Sequence, residues 1–416
     1  MSTMTANVRR TMLLGAVGVL ALAGAATVVR ADVASDKPGA ILIFPKVVVD
    51  PSGVLGPLPG TDTELQLVNT SNSVVGAKCF IVNQTAHCSN NGLACTAANA
   101  AERCGSTGAC VPPCSPNVAE NDFSITLTKR QPISWKASEG LPNSQFPCSL
   151  NAGGPGCPGG QSNGTSSIPG VQEVPFIGEI KCVQVDAASF APSTGLNPDN
   201  NFVGDLKGEA TIVSAVTDDI DARKYNAIGL QSTGFNNGDL TLQLGGPDAE
   251  YNGCPKVITL NNYFDDAPVT THRGAPPLTH VVRTDLTVIP CSEDFATQRP
   301  RGTTLQFLAF NEFEQRFSTS IGLSCFKEVT LSDIDSRPGP IGDAQSIFNF
   351  AVQGTLTGQT RIRPVASTGS DRRVLAITEE FWTTDSTTRS SAANTFFVPS
   401  SNGSDAGDQI LLPFEP

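Results

Sequence analysis

The chain has 416 residues, with 27 Lys and Arg against 39 Asp and Glu, 39 Gly, 30 Pro, 12 Cys and only 3 His. That length holds two or three domains and a large buried core, and the Gly and Pro content favours strands and loops over long helices. A net charge of -12 with no basic stripe excludes a general nucleic-acid binder, and three histidines leave little for His-dependent catalysis.

The N-terminus reads as an export signal. Arg9 and Arg10 precede an uncharged Ala, Gly, Leu and Val stretch from Thr11 to Val29, and Val29-Arg30-Ala31 is a small-x-small cleavage site. Arg9-Arg10 with Thr11-Met12-Leu13-Leu14 resembles a twin-arginine signal. Cleavage after residue 31 removes three Arg and no acid, which leaves 24 basic against 39 acidic residues, a net charge of -15. The rest of the chain has no segment apolar enough to cross a bilayer, so no transmembrane segment is expected after removal of the signal.

The first domain is expected at 32–264. Glu64-Leu65-Gln66-Leu67-Val68 alternates apolar and polar residues as a half-buried strand does. Thr70-Ser71-Asn72-Ser73 is a turn signal. Five cysteines from Cys88 to Cys114 lie within 27 residues among Asn, Gly, Ala and Pro, which cannot build an apolar core. In an exported chain this reads as a disulfide knob inserted at about 84–118. Zinc is the weaker reading: His87 adjoins Cys88 and Cys110-x3-Cys114 is a short gap, but the paired short spacings of a structural zinc site are missing. Cys148 and Cys157 flank a Gly/Ser/Pro-rich insert at about 142–170 and are expected to pair locally. Asn197, Asp199, Asn201 and Asp205 offer oxygens at alternate positions of a loop, the donor chemistry of calcium. The EF-hand pattern is not met, because Phe202 stands where glycine is required. Asp218, Asp219 and Asp221 form a second acidic loop. No cofactor other than this possible calcium is expected.

Residues 265–279, with two Asp, several Pro and a Gly, read as a linker to a second domain at 280–416. The two domains read as copies. Ile41-Leu42-Ile43-Phe44-Pro45 matches Leu286-Thr287-Val288-Ile289-Pro290. Thr63 to Asn69 matches Thr303 to Ala309, and Cys79-Phe80 matches Cys325-Phe326. Gly204-x-Leu206-x-Gly208 matches Gly354-x-Leu356-x-Gly358, and Ala227-Ile228 matches Ala376-Ile377. The shared order of these strings is their weight. The fold expected is all-β: two tandem related antiparallel β-sandwich domains, the first with the Cys-rich insert. Cys291 and Cys325 are the only cysteines of the expected second domain and should pair. Lys46 follows Pro45 where Cys291 follows Pro290, so Cys79 needs another partner, for which Cys182 is chosen.

The stretch Leu65-Gln66-Leu67-Val68-Asn69-Thr70-Ser71, strand then turn, resembles the immunoglobulin-like β-sandwich modules of exported bacterial proteins. The immunoglobulin Cys…Trp…Cys spacing is absent, since neither Trp135 nor Trp382 lies between suitably spaced cysteines. The resemblance implies architecture and no catalytic residues.

No G-x-S-x-G, H-E-x-x-H, P-loop or dinucleotide fingerprint occurs in its required context. His272 and His280 lie in or beside the expected linker. Within Asn311-Glu312-Phe313-Glu314-Gln315-Arg316-Phe317, alternation would place Glu312, Glu314 and Arg316 on one strand face, a candidate binding face for sugar or peptide. The function expected is an exported, disulfide-stabilised, non-enzymatic surface or extracellular interaction protein with a protein or glycan partner. The alternative is a carbohydrate-active hydrolase or glycan-binding protein using acids on a β scaffold.

Overall fold

The computed structural model describes residues 34–96, 99–111, 119–142, 167–187, 204–216, 219–235, 237–246, 249–271, 278–335, 337–338, 344–365, 373–384, 387–398 and 408–413. These residues form an all-β molecule of antiparallel sheets, with two helices of only five and four residues. Five sheets hold three or more strands, the number of a five-bladed, propeller-like arrangement, and the apolar clusters join them as facing layers.

Ile41–Val49, Phe176–Val185 and Val75–Asn83 are near-continuous apolar runs, and almost every residue in them is buried. Runs of this kind are buried on both faces. They form the centre of a five-stranded sheet ordered Ile228–Leu230, Ile41–Val49, Phe176–Val185, Val75–Asn83, Ala119–Leu127. On one face lies a sheet ordered Asp219–Asn226, Leu206–Val216, Asp62–Asn69, Pro132–Lys136. Its strand 62–69 alternates in burial, so only one face meets the core. Leu42, Phe44 and Ile180 from the first sheet share an apolar cluster with Leu65, Ile212 and Trp135 from the second.

The other face of the central sheet, through Ile41, Ile43, Phe80 and Val183, packs on Leu242, Leu244 and Ile410. These belong to a small sheet ordered Thr241–Leu244, Asp408–Leu411, Glu293–Asp294. The same cluster takes in Ile289 and Leu375 from the second half. There, one sheet is ordered Arg316–Ser324, Gly302–Asn311, Thr357–Val365, Val257–Tyr263, Phe396–Val398. It shares a cluster, through Leu260, Phe307 and Ile362, with Leu286, Val288 and Ala376. The latter belong to a sheet ordered Ala267–Thr271, Leu278–Pro290, Val374–Thr383, Thr388–Asn394, with Lys327–Thr330 also paired to Leu278–Pro290.

The expected linker at 265–279 is overturned. Ala267–Thr271 is a strand paired antiparallel with Leu278–Pro290, from Ala267 opposite Val282 to Thr271 opposite Leu278. Asp265 is buried and serves the turn before it, its carboxylate accepting from Thr284 N at 2.7 Å and Ser332 N at 2.7 Å. Before residue 265, Val257–Tyr263 already pairs with Thr357–Val365.

Candidate functional site

Two clusters of buried charge join the halves. The first starts at Pro45. Proline has no N–H to give the ladder, and the register of strand 41–49 against 176–185 shifts between Phe44 and Val47. Such a bulge re-aims a side chain. Lys46 at the bulge is only 4% exposed; its Nζ lies 2.5 Å from Glu328 Oε1 and also bonds Glu379. The Tyr225 hydroxyl donates to the Lys46 carbonyl. Glu379 accepts Arg223 Nε at 2.7 Å, and Arg223 reaches Ser214 and Ser390 at 3.1 Å each. Asp221 accepts from Ser390 Oγ and lies 3.4 Å from Arg223. Burial alone would lower the Lys46 ammonium pKa, but Glu328 and Glu379 outweigh it and hold the group above the ordinary lysine value.

The second cluster is Lys181 with Glu179 at 3.0 Å and Glu293 at 2.7 Å, all three side chains at most 2% exposed. Burial pushes Glu179 up to about 7; Lys181 opposes the shift and Glu293 adds to it. Beside it Phe80 stacks on Phe295 with ring centroids 4.0 Å apart. Two acids sharing one lysine have the chemistry of an acid–base pair. Both of these carboxylates are closed off from solvent, whereas Glu328 of the first cluster is 20% exposed.

The residues singled out from sequence fare differently. Asn197, Asp199 and Asn201, the expected calcium ligands, lie outside the described residues. Asp205 is buried against the Gln184 side chain: its N–H donates to Gln184 Oε1 at 2.8 Å and its carboxylate accepts from Gln184 Nε2 at 3.1 Å. Asp219 bonds Arg389 at 2.9 Å, while Asp221 belongs to the first buried cluster. Cys148 and Cys157 also lie outside the described residues.

Cys79 and Cys182 stand opposite each other in register and are bridged. Cys88–Cys104 and Cys95–Cys110 staple the insert. The sulfurs of Cys88, Cys95 and Cys104 crowd within 4.8 Å of one another, but each is spent in a disulfide and offers no thiolate to zinc. The expected Cys291–Cys325 bridge is overturned. Cys291 joins Cys254, and Cys325 is disulfide-bonded to none of the described cysteines. Sequence reading assigned Cys254 to the other domain, and so removed the true partner from consideration.

Glu312, Glu314 and Arg316 do not share a strand face. Asn311 Oδ1 accepts from the N–H groups of Phe313 and Gln315, both at 3.0 Å, and this folds residues 312–315 into a hairpin turn. Glu314 takes a φ of 61° there, and Glu312 accepts from the Thr357 hydroxyl at 2.7 Å. Arg316 alone begins a strand and faces solvent.

That strand belongs to a face on which Arg361 and Arg363 are exposed and Ile362 between them is buried. Register sets side chains in rows across the five-stranded sheet. One row runs Arg316, Phe310, Gln359, Asn261; the next runs Ser318, Leu308, Arg361, Thr259, Phe396; a third runs Ser320, Gln306, Arg363. Arg361 lies over the Phe310 ring at 5.4 Å, and Arg363 Nε donates to Gln306 Oε1 at 2.6 Å. The strands of this sheet carry Arg316, Arg361 and Arg363 and no Asp or Glu. In the first half, a recess of about 650 Å³ lies over Gln66, Val68, Ser134, Leu141, Lys207 and Glu209.

No helix among the described residues is long and apolar enough to cross a membrane. No family model matches the chain, and no curated protein matches it. Among solved structures, the cryo-EM structure of Broad Bean Stain Virus aligns over 96% of this chain and 100% of its own at 8% identity, with a TM-score of 0.12. A likeness of that size carries no argument about fold or function.

Proposed function

We propose that the chain is an exported, disulfide-stabilised interaction protein with no catalytic role. The observation that carries this reading is the solvent face of the five-stranded sheet. It presents arginines, amides, hydroxyls and two aromatic rings without a single acid, in a chain of net charge -12. The most deeply buried charged clusters are consumed in joining the halves. The leader-like N-terminus and the bridged cysteines support an oxidising destination.

The two halves further read as related β-sandwiches. Strands carrying matched strings make corresponding partnerships: 41–49 pairs with 228–230 as 278–290 pairs with 374–383, and 62–69 pairs with 206–216 as 302–311 pairs with 357–365. Registers have drifted, since Leu67 faces Gly208 whereas its match Phe307 faces Ile362. The immunoglobulin-like resemblance stays at this level of layered antiparallel strands.

The test is protease shaving and surface labelling of intact cells, with lysed cells as the control. Labelling on intact cells, or recovery from the medium, is expected. Access only after lysis would overturn the surface reading.

A further inference from the structure

The same sheet face specifies a class of ligand, an inference that rests on the interaction reading above. Adjacent strands lie about 4.8 Å apart and residues two apart along a strand about 7 Å apart. The row from Ser318 to Phe396 therefore spans roughly 19 Å, with exposed Arg361 at its centre. Arg363 is the next outward position on the same strand, and Arg316 begins the edge strand. Between these cations stand Gln306, Gln359, Asn261, Ser318, Ser320 and Thr259, groups that donate to and accept from hydroxyls. Phe310 and Phe396 add two aromatic rings, the latter 64% exposed.

A protein interface sets its arginines among apolar and aromatic anchors; here most side chains around the arginines are amides and hydroxyls. Nucleic-acid complexes typically neutralise about six to ten phosphates, more than three arginines supply. A planar guanidinium pairs bidentately with carboxylate. Spaced carboxylates with many hydroxyls between them fit the pattern of spaced arginines with amides and hydroxyls between them. We propose that this face binds an acidic, uronic-acid-containing polysaccharide, with Arg316, Arg361 and Arg363 on its carboxylates and the amide and hydroxyl rows on its hydroxyls.

The test is affinity electrophoresis and calorimetry of the full chain with polygalacturonate and alginate. Dextran, polyglutamate and duplex DNA are the controls. The wild type is expected to bind an acidic polysaccharide in preference to all three controls, more weakly as salt rises. R361Q/R363Q should lose at least about tenfold in affinity, roughly 1.4 kcal/mol, with unchanged melting. If that double variant fails to fold, R316Q on the edge strand should show a smaller loss of the same kind. Binding to neither acidic polysaccharide, equal binding of dextran, polyglutamate or DNA, or undiminished binding by the folded variants would overturn the proposal. Absence of binding by a protein labelled on intact cells removes the ligand and leaves the interaction reading in place. Absence of labelling removes that reading whether or not the polymer binds.

Discussion

Glu179 and Asp265 are both pushed up to about 7, in each case chiefly by burial. An acid whose folded pKa exceeds its unfolded value holds extra protons in the native state. Its contribution is full below the ordinary carboxylate range and is lost as pH rises toward the folded value. The melting temperature should therefore rise when pH drops from about 8 to about 5.5, a window above the ordinary carboxylate values. Glu120 is raised to about 7 as well; Glu179→Gln removes one of these acids and should flatten this dependence. A wild type whose melting temperature falls over that window, with E179Q tracing the same curve, would contradict the assignment. Lys46 makes the complementary point. Lys46→Met takes the lysine from Glu328 and leaves Glu379 with Arg223 alone, and loss of one partner of a buried pair costs about 3–5 kcal/mol. Chemical denaturation checks this; a cost below about 1 kcal/mol would show the cluster to be as weak as a surface pair.

At the scale of elements, two glycines show how strand identity and packing meet. A Cβ on Gly358 would lie 2.5 Å from the Phe264 ring and 2.8 Å from the Phe310 carbonyl oxygen; one on Gly208 would lie 2.5 Å from the Phe44 ring. Both matched glycines thus let an aromatic ring lie on backbone. Gly358→Ala should cost about 1–3 kcal/mol by overpacking. Gly322 has nothing within 4 Å of an added Cβ, so Gly322→Ala should fall within about 0.5 kcal/mol of wild type. Equal melting of the two variants would contradict the packing. The strand at 62–69 was legible because the period of two is written in single residues. The hairpin at 312–315 was not, because its turn rests on one asparagine side chain within a run that otherwise alternates. The strand at 267–271 was hidden by its own prolines and aspartates, whose turn chemistry imitates a linker.

For the whole molecule, sequence revealed the all-β character and the dependence on cysteine, but not how distant segments meet. Lys46, Arg223, Glu328 and Glu379 lie far apart along the chain, and their types alone read as solvated charge. Contact brings them together across the layers, with Cys254–Cys291 and the apolar cluster through Ile289 and Leu375 alongside. The central claim is a covalently stapled, exported all-β body whose bridges follow these layers. Disulfide mapping by peptide mass spectrometry on protein isolated from its own cells, with thiols blocked at lysis, tests it most directly. The account predicts Cys79–Cys182, Cys88–Cys104, Cys95–Cys110 and Cys254–Cys291. Free thiols at these positions, or a Cys291–Cys325 bridge, would contradict it.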